Sequence, residues 1–257
     1  MHYLVLTTGS CGNCYIFNEG DETIVVDCGV TYKRLNESLA LHSIRMDSIS
    51  AMFLTHLHPD HSKGVGTFMR KTGLPVFISS RSHKELKSTI IKQKIEYSAL
   101  HTFTNGETIK LGNFEVTTFA TSHDSAGSTG YFIKTESSSV FLLTDSGIIP
   151  DSAFSYARDA ELEFIEANYD LEMLENGPYA EWLKRRVSGI YGHLDNRDAV
   201  DFAARTARQG DEIFFVHLSD NNNKSTIVRS LAEESIPSGV FLKVLERGEG
   251  AEGFINE

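Results

Sequence analysis

The sequence predicts an α/β protein in which two β-sheets pack face to face and helices cover their outer faces. Stretches rich in strands are followed by stretches rich in helices, and this succession occurs twice along the chain. The first strands are short runs of β-branched and aromatic residues, separated by Gly9, Gly12 and Gly20. Because 257 residues fit one sizeable domain, we predict a single domain over residues 1–257.

The N-terminal half begins with strands and continues with alternating helices and strands. The pattern of apolar residues predicts strands at Tyr3–Thr7, Tyr15–Asn18, Thr23–Asp27, Ser48–Thr55 and Pro75–Ser79. Helices are expected at Thr31–Leu41, Lys63–Thr72 and Ser82–Lys94.

The second half repeats this order. Strands are expected at Thr108–Leu111, Phe114–Ala120, Gly130–Thr135, Ser139–Thr144, Glu161–Ala167, Glu212–Leu218 and Val240–Leu245. Helices are expected at Tyr179–Val187, Arg197–Gln209 and Ser225–Ser235.

The composition narrows the class of protein. No apolar run approaches the roughly 20 residues that a membrane-spanning helix needs, and the first residues lack a basic, signal-like segment. We therefore expect a cytoplasmic protein without a membrane partner. A net charge of −11 argues against wide, non-specific wrapping of nucleic acid. It is compatible with a phosphodiester substrate, because bound divalent cations reverse the local field.

The three cysteines are Cys11, Cys14 and Cys28, and this odd count argues against a disulfide framework. Cys11 and Cys14 match C-x-x-C, but no second pair follows to complete a zinc knuckle. We interpret both as small buried residues in a tight turn between strands, with no predicted role.

A dense group of metal-ligand residues follows the predicted strand Ser48–Thr55, in the run His56-Leu57-His58-Pro59-Asp60-His61. His56 and His58 alternate along an extended backbone, so their imidazoles point to the same side. Asp60 and His61 open the next helix after Pro59, which places a carboxylate and a third imidazole beside them. Nitrogen and oxygen ligands of this kind suit zinc and similar cations.

Three further candidates stand at the ends of later strands. They are His123, Asp145 and His217. A site for two ions needs three or more protein ligands per ion, and these seven residues meet that requirement. We predict His56, His58 and His123 on one ion and Asp60, His61 and His217 on the other. Asp145 is predicted to lie between the two.

The signature H-x-H-x-D-H at residues 56–61 resembles that of the metallo-β-lactamase superfamily, and the order His123, Asp145, His217 also matches its later motifs. The resemblance covers essentially the whole chain. It implies a four-layer αββα sandwich with a two-metal site at the sheet edges.

Shorter motifs resemble the YycJ/WalJ-like branch, on the ribonuclease Z and phosphodiesterase side of the superfamily. They lie at residues 8–13, 122–124, 192–196 and 217–222. The sequence departs from the branch at Cys11 and Asp195, where the family motifs carry serine. The resemblance implies phosphodiester hydrolysis, with a 5′ exonuclease as the specific expectation. Glu166 and His193 are similar to the pair that assists leaving-group protonation in ribonuclease Z-like enzymes.

These observations suggest a mechanism for a nucleic acid or small phosphodiester substrate. Two divalent ions share a water and lower its pKa from about 15.7 toward about 7. Asp60 would take the proton of this water and hold the bridging hydroxide, which would attack phosphorus, and His193, oriented by Glu166, would protonate the leaving oxygen. Zinc is favoured, with manganese or iron as alternatives, because all accept these ligands.

Other functions remain open at this point. The same site hydrolyses thioesters and lactones elsewhere in the superfamily. A di-iron redox module is disfavoured because that branch replaces the second histidine, here His58, by glutamate. A binding protein on an inactive scaffold is disfavoured by the intact ligand set.

Two more features have alternative interpretations. Lys184, Arg185 and Arg186 give a basic helix face that either is merely solvated or contacts a phosphate backbone. Ser219 and residues 221–223 precede the predicted helix at Ser225, and they either donate to a phosphate or cap that helix. Nothing in the sequence indicates the oligomeric state.

Overall fold

Fourteen strands form two mixed sheets in residues 1–84 and 97–255, which the computed structural model describes. The strands of the first sheet are β1 His2–Thr7, β2 Cys14–Glu19, β3 Glu22–Val26, β4 Ile49–Phe53, β5 Val76–Ser79, β6 Leu100–Phe103 and β14 Ala251–Phe254. Those of the second sheet are β7 Thr108–Leu111, β8 Phe114–Ala120, β9 Thr129–Lys134, β10 Ser139–Leu143, β11 Leu162–Glu166, β12 Glu212–Val216 and β13 Phe241–Val244.

Eight α-helices that begin and end within the described ranges connect these strands. They are α1 Tyr32–Leu41, α2 Pro59–Ser62, α3 Val65–Thr72, α4 Ala153–Arg158, α5 Leu171–Asn176, α6 Glu181–Val187, α7 Asn196–Thr206 and α8 Ser225–Ser235. Short 3₁₀ turns occur at Met46–Ser48 and Tyr97–Ala99. No helix within these ranges is both long and apolar enough to cross a bilayer.

Each sheet has an antiparallel part and a parallel part. The orders are β14-β1-β2-β3-β4-β5-β6 and β7-β8-β9-β10-β11-β12-β13. Pairing is antiparallel from β14 to β3 and from β7 to β10, and it is parallel in the remainder of both sheets. Loops that follow parallel strands emerge at one edge of the sheet, where ligands usually bind.

The main core lies between the two sheets. Phe164 of β11 is fully buried there, and its ring centroid lies 5.3–6.2 Å from those of Tyr3, Tyr15, Phe17 and Phe214. A second buried cluster joins the first sheet to α1 and α3, and a third joins the second sheet to α4, α7 and α8. This arrangement gives four layers in the order α, β, β, α and confirms the predicted fold class.

The structure differs from the sequence prediction in several elements. Strands β6 and β14 and helices α4 and α5 were not predicted. Strand β14 has the sequence AEGF, which lacks an apolar run, and it pairs only at the sheet edge with β1. The predicted helix Ser82–Lys94 is helical over 82–84, but residues 85–96 lie outside the described part of the chain.

One prediction about the cysteines is wrong. All three are free thiols, and Cys14 and Cys28 are buried, but Cys11 is exposed. The turn between β1 and β2 places Cys11 at the surface rather than in the core.

Removing the Phe164 ring tests the importance of the core between the sheets. We expect Phe164→Ala to lower the free energy of unfolding by about 3–5 kcal/mol, because it leaves a cavity among four aromatic rings. Urea unfolding followed by circular dichroism measures the change. Leu41→Ala is the control, since Leu41 is 80% exposed, and it should change stability by about 0.5 kcal/mol or less. Equal effects of the two variants would contradict this account of the core.

Candidate metal centre

The residues of the candidate site follow the ends of four strands. The run His56–His61 comes after β4, and its last residues form the short helix α2. His123, Asp145 and His217 come after β8, β10 and β12 of the second sheet. The site therefore lies where the edges of both sheets meet.

Three imidazoles form the first candidate ligand group. His56, His58 and His123 each offer a nitrogen, and these atoms lie within 4.8 Å of one another. The Nδ1 atom of His58 is 3.2 Å from Nε2 of His123. This is the grouping predicted from the sequence for one ion.

A carboxylate and two imidazoles form the second group, Asp60, His61 and His217. The Oδ2 atom of Asp60 lies 3.6 Å from Nε2 of His61 and 3.8 Å from Nε2 of His217. These two distances leave room for a cation between the three side chains. The structure thus also brings the second predicted group together.

Asp145 lies between the two groups. Its Oδ2 atom is 3.1 Å from Nε2 of His61, and its Oδ1 atom is 3.6 Å from Nε2 of His123 and 3.7 Å from Nε2 of His217. One carboxylate thus faces imidazoles of both groups, as a bridging position requires.

Unpaired buried nitrogens test whether these residues suit a metal. In the described part of the chain, the Nε2 atoms of His56 and His217 are buried without a hydrogen-bond partner. A buried polar atom without a partner is costly, and native proteins rarely retain one without a reason. Coordination of a cation satisfies such a lone pair. The donor set, five imidazoles and two carboxylates, is that of zinc, manganese or iron sites.

The protonation state of the first group also suits a metal. Burial holds the pKa of His56 well below its usual range, and the neighbouring His61 lowers it further. Burial and the adjacent His123 likewise lower the pKa of His58. Both imidazoles are therefore neutral near pH 7, which is the form that binds metal ions.

The second group is electrostatically different because carboxylates surround it. Burial lowers the pKa of His61, but Asp145 and Asp27 more than offset this and raise it to about 10. The pKa of His217 is raised well above its ordinary value, against burial, mainly by Asp145. Burial alone would raise the pKa of Asp145, but His217 and His61 hold it well below its usual range. A divalent cation can replace the protons on these imidazoles.

Asp27 orients His61, and the sequence analysis missed it. Its fully buried Oδ2 atom is 2.7 Å from Nδ1 of His61, and Thr55 donates to its carboxylate through both N–H and Oγ1, each at 2.8 Å. A carboxylate on the second ring nitrogen fixes the orientation of a metal-binding histidine. The sequence feature that could have identified Asp27 is an acid at the end of the apolar strand β3. This strand pairs in parallel with β4, which leads to the histidine run.

Glu166 plays a similar part for two other imidazoles. Its Oε1 atom lies 2.7 Å from Nδ1 of His193 and 3.1 Å from Nδ1 of His217. Glu166 is fully buried, and its Oε2 accepts from the backbone N–H of Ser146. Glu166 counteracts the effect of burial on His193 and raises its pKa. The structure therefore brings together the predicted pair Glu166 and His193, beside the candidate ligands.

The backbone is unusual at three of these positions. Asp27, Asp145 and His217 have positive φ values of 63°, 54° and 60°. Of the described non-glycine residues, only Ser43 shares this left-handed conformation. Such residues cost about 1–3 kcal/mol each and tend to occur at functional sites.

The candidate centre opens into a cavity of about 380 Å³. Its lining includes His58, Asp60, His123, Asp145, His193 and His217, together with Leu183 and Arg186 of α6 and the preceding Tyr179. A larger cavity of about 780 Å³ lies between α1 and α3 on the outer side of the first sheet, and none of the candidate ligands lines it. Of these two cavities, the smaller one is therefore the candidate active site.

The polar residues near α8 connect loops instead of capping the helix. Lys224 occupies the N-cap position without a side-chain hydrogen bond, so the capping alternative is not realised at α8. Asn223 exchanges two hydrogen bonds with Asn196, at 2.8 and 2.9 Å. Asp195, which stands where the family has serine, accepts from Arg197 N–H and caps α7 in its place.

Comparison with known proteins agrees with this geometry. A family model described as the β-lactamase superfamily domain matches residues 22–218. The chain belongs to this superfamily. The metallo-β-lactamase fold protein YhfI from Bacillus subtilis has a TM-score of 0.72 at 20% identity, over 98% of this chain and all of that one.

Two curated relatives support the predicted branch within the superfamily. The chain is 31% identical to the exodeoxyribonuclease WalJ of Streptococcus pneumoniae over 95% of its length and 93% of that protein. It is 30% identical to the exodeoxyribonuclease YycJ of Bacillus anthracis, over 89% of this chain and 86% of that protein. The resemblance to the YycJ/WalJ-like branch is thereby confirmed.

The contact between Asp27 and His61 generates a prediction about metal affinity. We expect Asp27→Asn to weaken metal binding about 10- to 100-fold, because loss of an orienting carboxylate has this effect at histidine ligands. Competition with a chromophoric chelator measures the affinity.

The control for this prediction is Asp47→Asn, since Asp47 is exposed and its ion-pair partner among the described residues is the nearby Arg45. Thermal unfolding of both metal-free variants reports whether the fold is retained. A folded Asp27→Asn variant with the affinity of the parent protein would show that Asp27 does not support the site.

Proposed function

We propose that the protein is a two-metal phosphodiester hydrolase that acts as a nuclease, and specifically as a 5′ exonuclease. The observation that carries this proposal is the meeting of two ligand groups around Asp145 in the lining of one cavity, with His193 and Glu166 beside them. The two curated relatives, both named exodeoxyribonucleases, favour DNA as the polymer.

Seven side chains would hold the two ions in this proposal. They are His56, His58 and His123 for one ion, Asp60, His61 and His217 for the other, and Asp145 for both. When bound, such ions supply Lewis-acid charge that lowers the pKa of water and neutralises charge on a phosphate. The imidazoles and carboxylates fix where that charge is placed.

Asp60 is the proposed acceptor of the proton from the attacking water. The positive charge of the neighbouring His217 and His61 outweighs the effect of burial and keeps its pKa below the ordinary value. Its carboxylate is therefore ionised near pH 7. It also lines the cavity, so it lies where substrate and water enter.

His193 is the proposed donor of the proton to the leaving oxygen. Its Nδ1 atom is occupied by Glu166, so Nε2 is the nitrogen left for the substrate. The ring lines the cavity and is partly exposed, which gives it access to a phosphate bound there. An acid placed in this way contributes typically about 10²- to 10⁴-fold to a rate.

The metal and the location complete the proposal. Zinc is our first choice, with manganese and iron as alternatives, since the donor set suits all three. A cytoplasmic location agrees with three cysteines that are all free thiols.

The first test compares substrate classes. We expect the protein with zinc or manganese to cleave 5′-labelled DNA or RNA and bis-p-nitrophenyl phosphate, and Asp60→Ala to slow this cleavage about 10²- to 10⁴-fold by loss of the proton acceptor. Asp151→Ala, at an exposed position, is the control. Turnover of a thioester with no cleavage of any phosphodiester would instead identify a thioester hydrolase.

The second test separates proton donation from general damage to the site. His193→Ala should slow oligonucleotide cleavage about 10²- to 10⁴-fold. It should slow bis-p-nitrophenyl phosphate far less, because p-nitrophenolate leaves without a proton. His101→Ala, on the exposed surface of β6, should have no effect. Equal losses on both substrates would exclude His193 as the acid.

A further inference from the structure

The turn between β1 and β2, at residues 8–13, is a motif of the sequence that the proposed chemistry does not use. It contains no candidate ligand, yet the side chains of Thr8 and Asn13 are fully buried and hydrogen-bonded to each other. Further contacts of these two residues reach every member of the second ligand group, Asp60, His61 and His217.

Thr8 contacts His217, which lies 209 residues later in the chain. The backbone N–H of His217 donates to Thr8 Oγ1 at 3.0 Å. On the other side of the same residue, Asn168 Nδ2 donates to the carbonyl of His217 at 2.8 Å. His217 has a left-handed backbone with a φ of 60°, and such a conformation persists only where its surroundings determine it. Thr8 and Asn168 thus fix the strained backbone of a candidate ligand.

All hydrogen-bonding positions of the Thr8 hydroxyl are occupied. A hydroxyl has one proton to donate and two lone pairs that accept. Thr8 Oγ1 donates to Asn13 Oδ1 at 3.3 Å and accepts from the N–H of His217. The hydroxyl of the buried Tyr15 lies 3.1 Å away and is the second donor. Loss of the Thr8 hydroxyl would leave these buried groups without a partner, which is costly.

Asn13 contacts the other two members of the group. Its backbone N–H donates to the carbonyl of Asp60 at 2.7 Å, and its Nδ2 atom lies 3.0 Å from Nε2 of His61. Because Asp27 occupies Nδ1 of His61, Nε2 is the nitrogen of that ring left for an ion. The amide of Asn13 also donates to the carbonyl of Gly9 at 3.1 Å. It therefore keeps a partner when an ion takes Nε2 of His61.

A glycine allows the turn to lie directly against the start of α2. Gly29 N–H donates to the carbonyl of Asn13 at 2.9 Å. A Cβ atom on Gly29 would lie only 1.7 Å from the carbonyl oxygen of Asp60 and 2.6 Å from the nitrogen of Asn13. No side chain fits between these segments, so a shift of Asn13 passes directly to Asp60.

The first ligand group is oriented by other residues. Within residues 1–84 and 97–255, no hydrogen bond joins the turn to His56, His58 or His123. Nδ1 of His56 lies 3.0 Å from Thr55 Oγ1, and Nδ1 of His123 lies 2.8 Å from the carbonyl of Gly192. A change in the turn should therefore affect the two groups unequally.

We propose that Thr8 and Asn13 are positioning residues of the second ligand group. Together they hold Asp60, His61 and His217 where this group can bind its ion, and they act through these ligands. This inference rests on the two-ion centre of the proposed function. It does not depend on which phosphodiester is the substrate.

Variants that retain one ligand group measure the two groups separately. His58→Ala combined with His123→Ala leaves the second group, and Asp60→Ala combined with His217→Ala leaves the first. Thr8→Val is made in each background, since valine has the shape of threonine without the hydroxyl. We expect it to weaken zinc binding about 10- to 100-fold where the second group remains, because loss of an orienting partner has this effect. It should leave zinc binding unchanged where the first group remains. Competition with a chromophoric chelator measures both affinities.

Thr7→Val is the matched control. Thr7 is the neighbouring residue, is equally buried, and its hydroxyl lies 3.7 Å from Cys11 Sγ and not beside a candidate ligand. This variant should leave zinc binding unchanged in both backgrounds. Thr8→Ser keeps the hydroxyl and should restore most of the affinity, and Asn13→Ala should act in the same direction as Thr8→Val. Circular dichroism of the metal-free variants reports whether each is folded.

The protein with all seven ligands gives a second measurement, which stands if a background variant fails to fold. It should bind two zinc ions, and Thr8→Val should weaken one of them about 10- to 100-fold and leave the other unchanged. Equal weakening of both ions, or the same loss in Thr7→Val, would show that the hydroxyl supports the fold in general and would overturn the proposal. A folded Thr8→Val variant with the affinities of the parent protein would also overturn it.

These titrations are independent of cleavage and so separate this proposal from the proposed function. Selective loss of one ion in a protein that cleaves no phosphodiester would support the positioning role and overturn the nuclease function. Cleavage that requires two ions, with no selective loss in Thr8→Val, would do the reverse. A parent protein that binds fewer than two ions would overturn both.

Discussion

The site depends first on the imidazole of His61, which is fully buried between the carboxylates of Asp27 and Asp145, at 2.7 and 3.1 Å. Burying several ionisable groups together is costly unless their charges and hydrogen bonds compensate one another. Thr55 donates two hydrogen bonds to Asp27, and a cation between His61 and Asp145 would balance the remaining negative charge. Removal of Asp27, His61 or Asp145 would leave a buried charge without its partner.

The sheet topology explains why these groups meet. In both sheets the pairing changes from antiparallel to parallel at the fourth strand, which is β3 in one and β10 in the other. Asp27 follows β3 and Asp145 follows β10, both in the left-handed conformation. The next strands, β4 and β11, lead to His56 and end at Glu166. Asp27 and Asp145 thus occupy equivalent positions in the two sheets.

Much of this arrangement was predictable from the sequence, because several histidines and acids placed just after strand ends are typical of a metal site. The fold class and the grouping of all seven candidate residues followed from strand periodicity and from the run His56–His61. Asp27 was missed because a single acid after a strand carries no motif, and only the parallel pairing of β3 with β4 shows its significance. Strand β14 was missed because it is defined by its pairing with β1 at a sheet edge. No local sequence pattern shows that pairing. The assignment of a single domain and the role of each ligand stay predictions.

The position of β14 has a consequence for the order of assembly. This strand pairs Ala251 with Val5, so the first sheet is not complete until the last described residues have joined the first ones. The candidate ligands are divided between the sheets, with His217 contributed from the second. Contacts between residues so far apart in the chain form slowly during folding, since a long loop must close before they are gained. The centre is therefore a late product of folding, and neither sheet can assemble it before the other has formed.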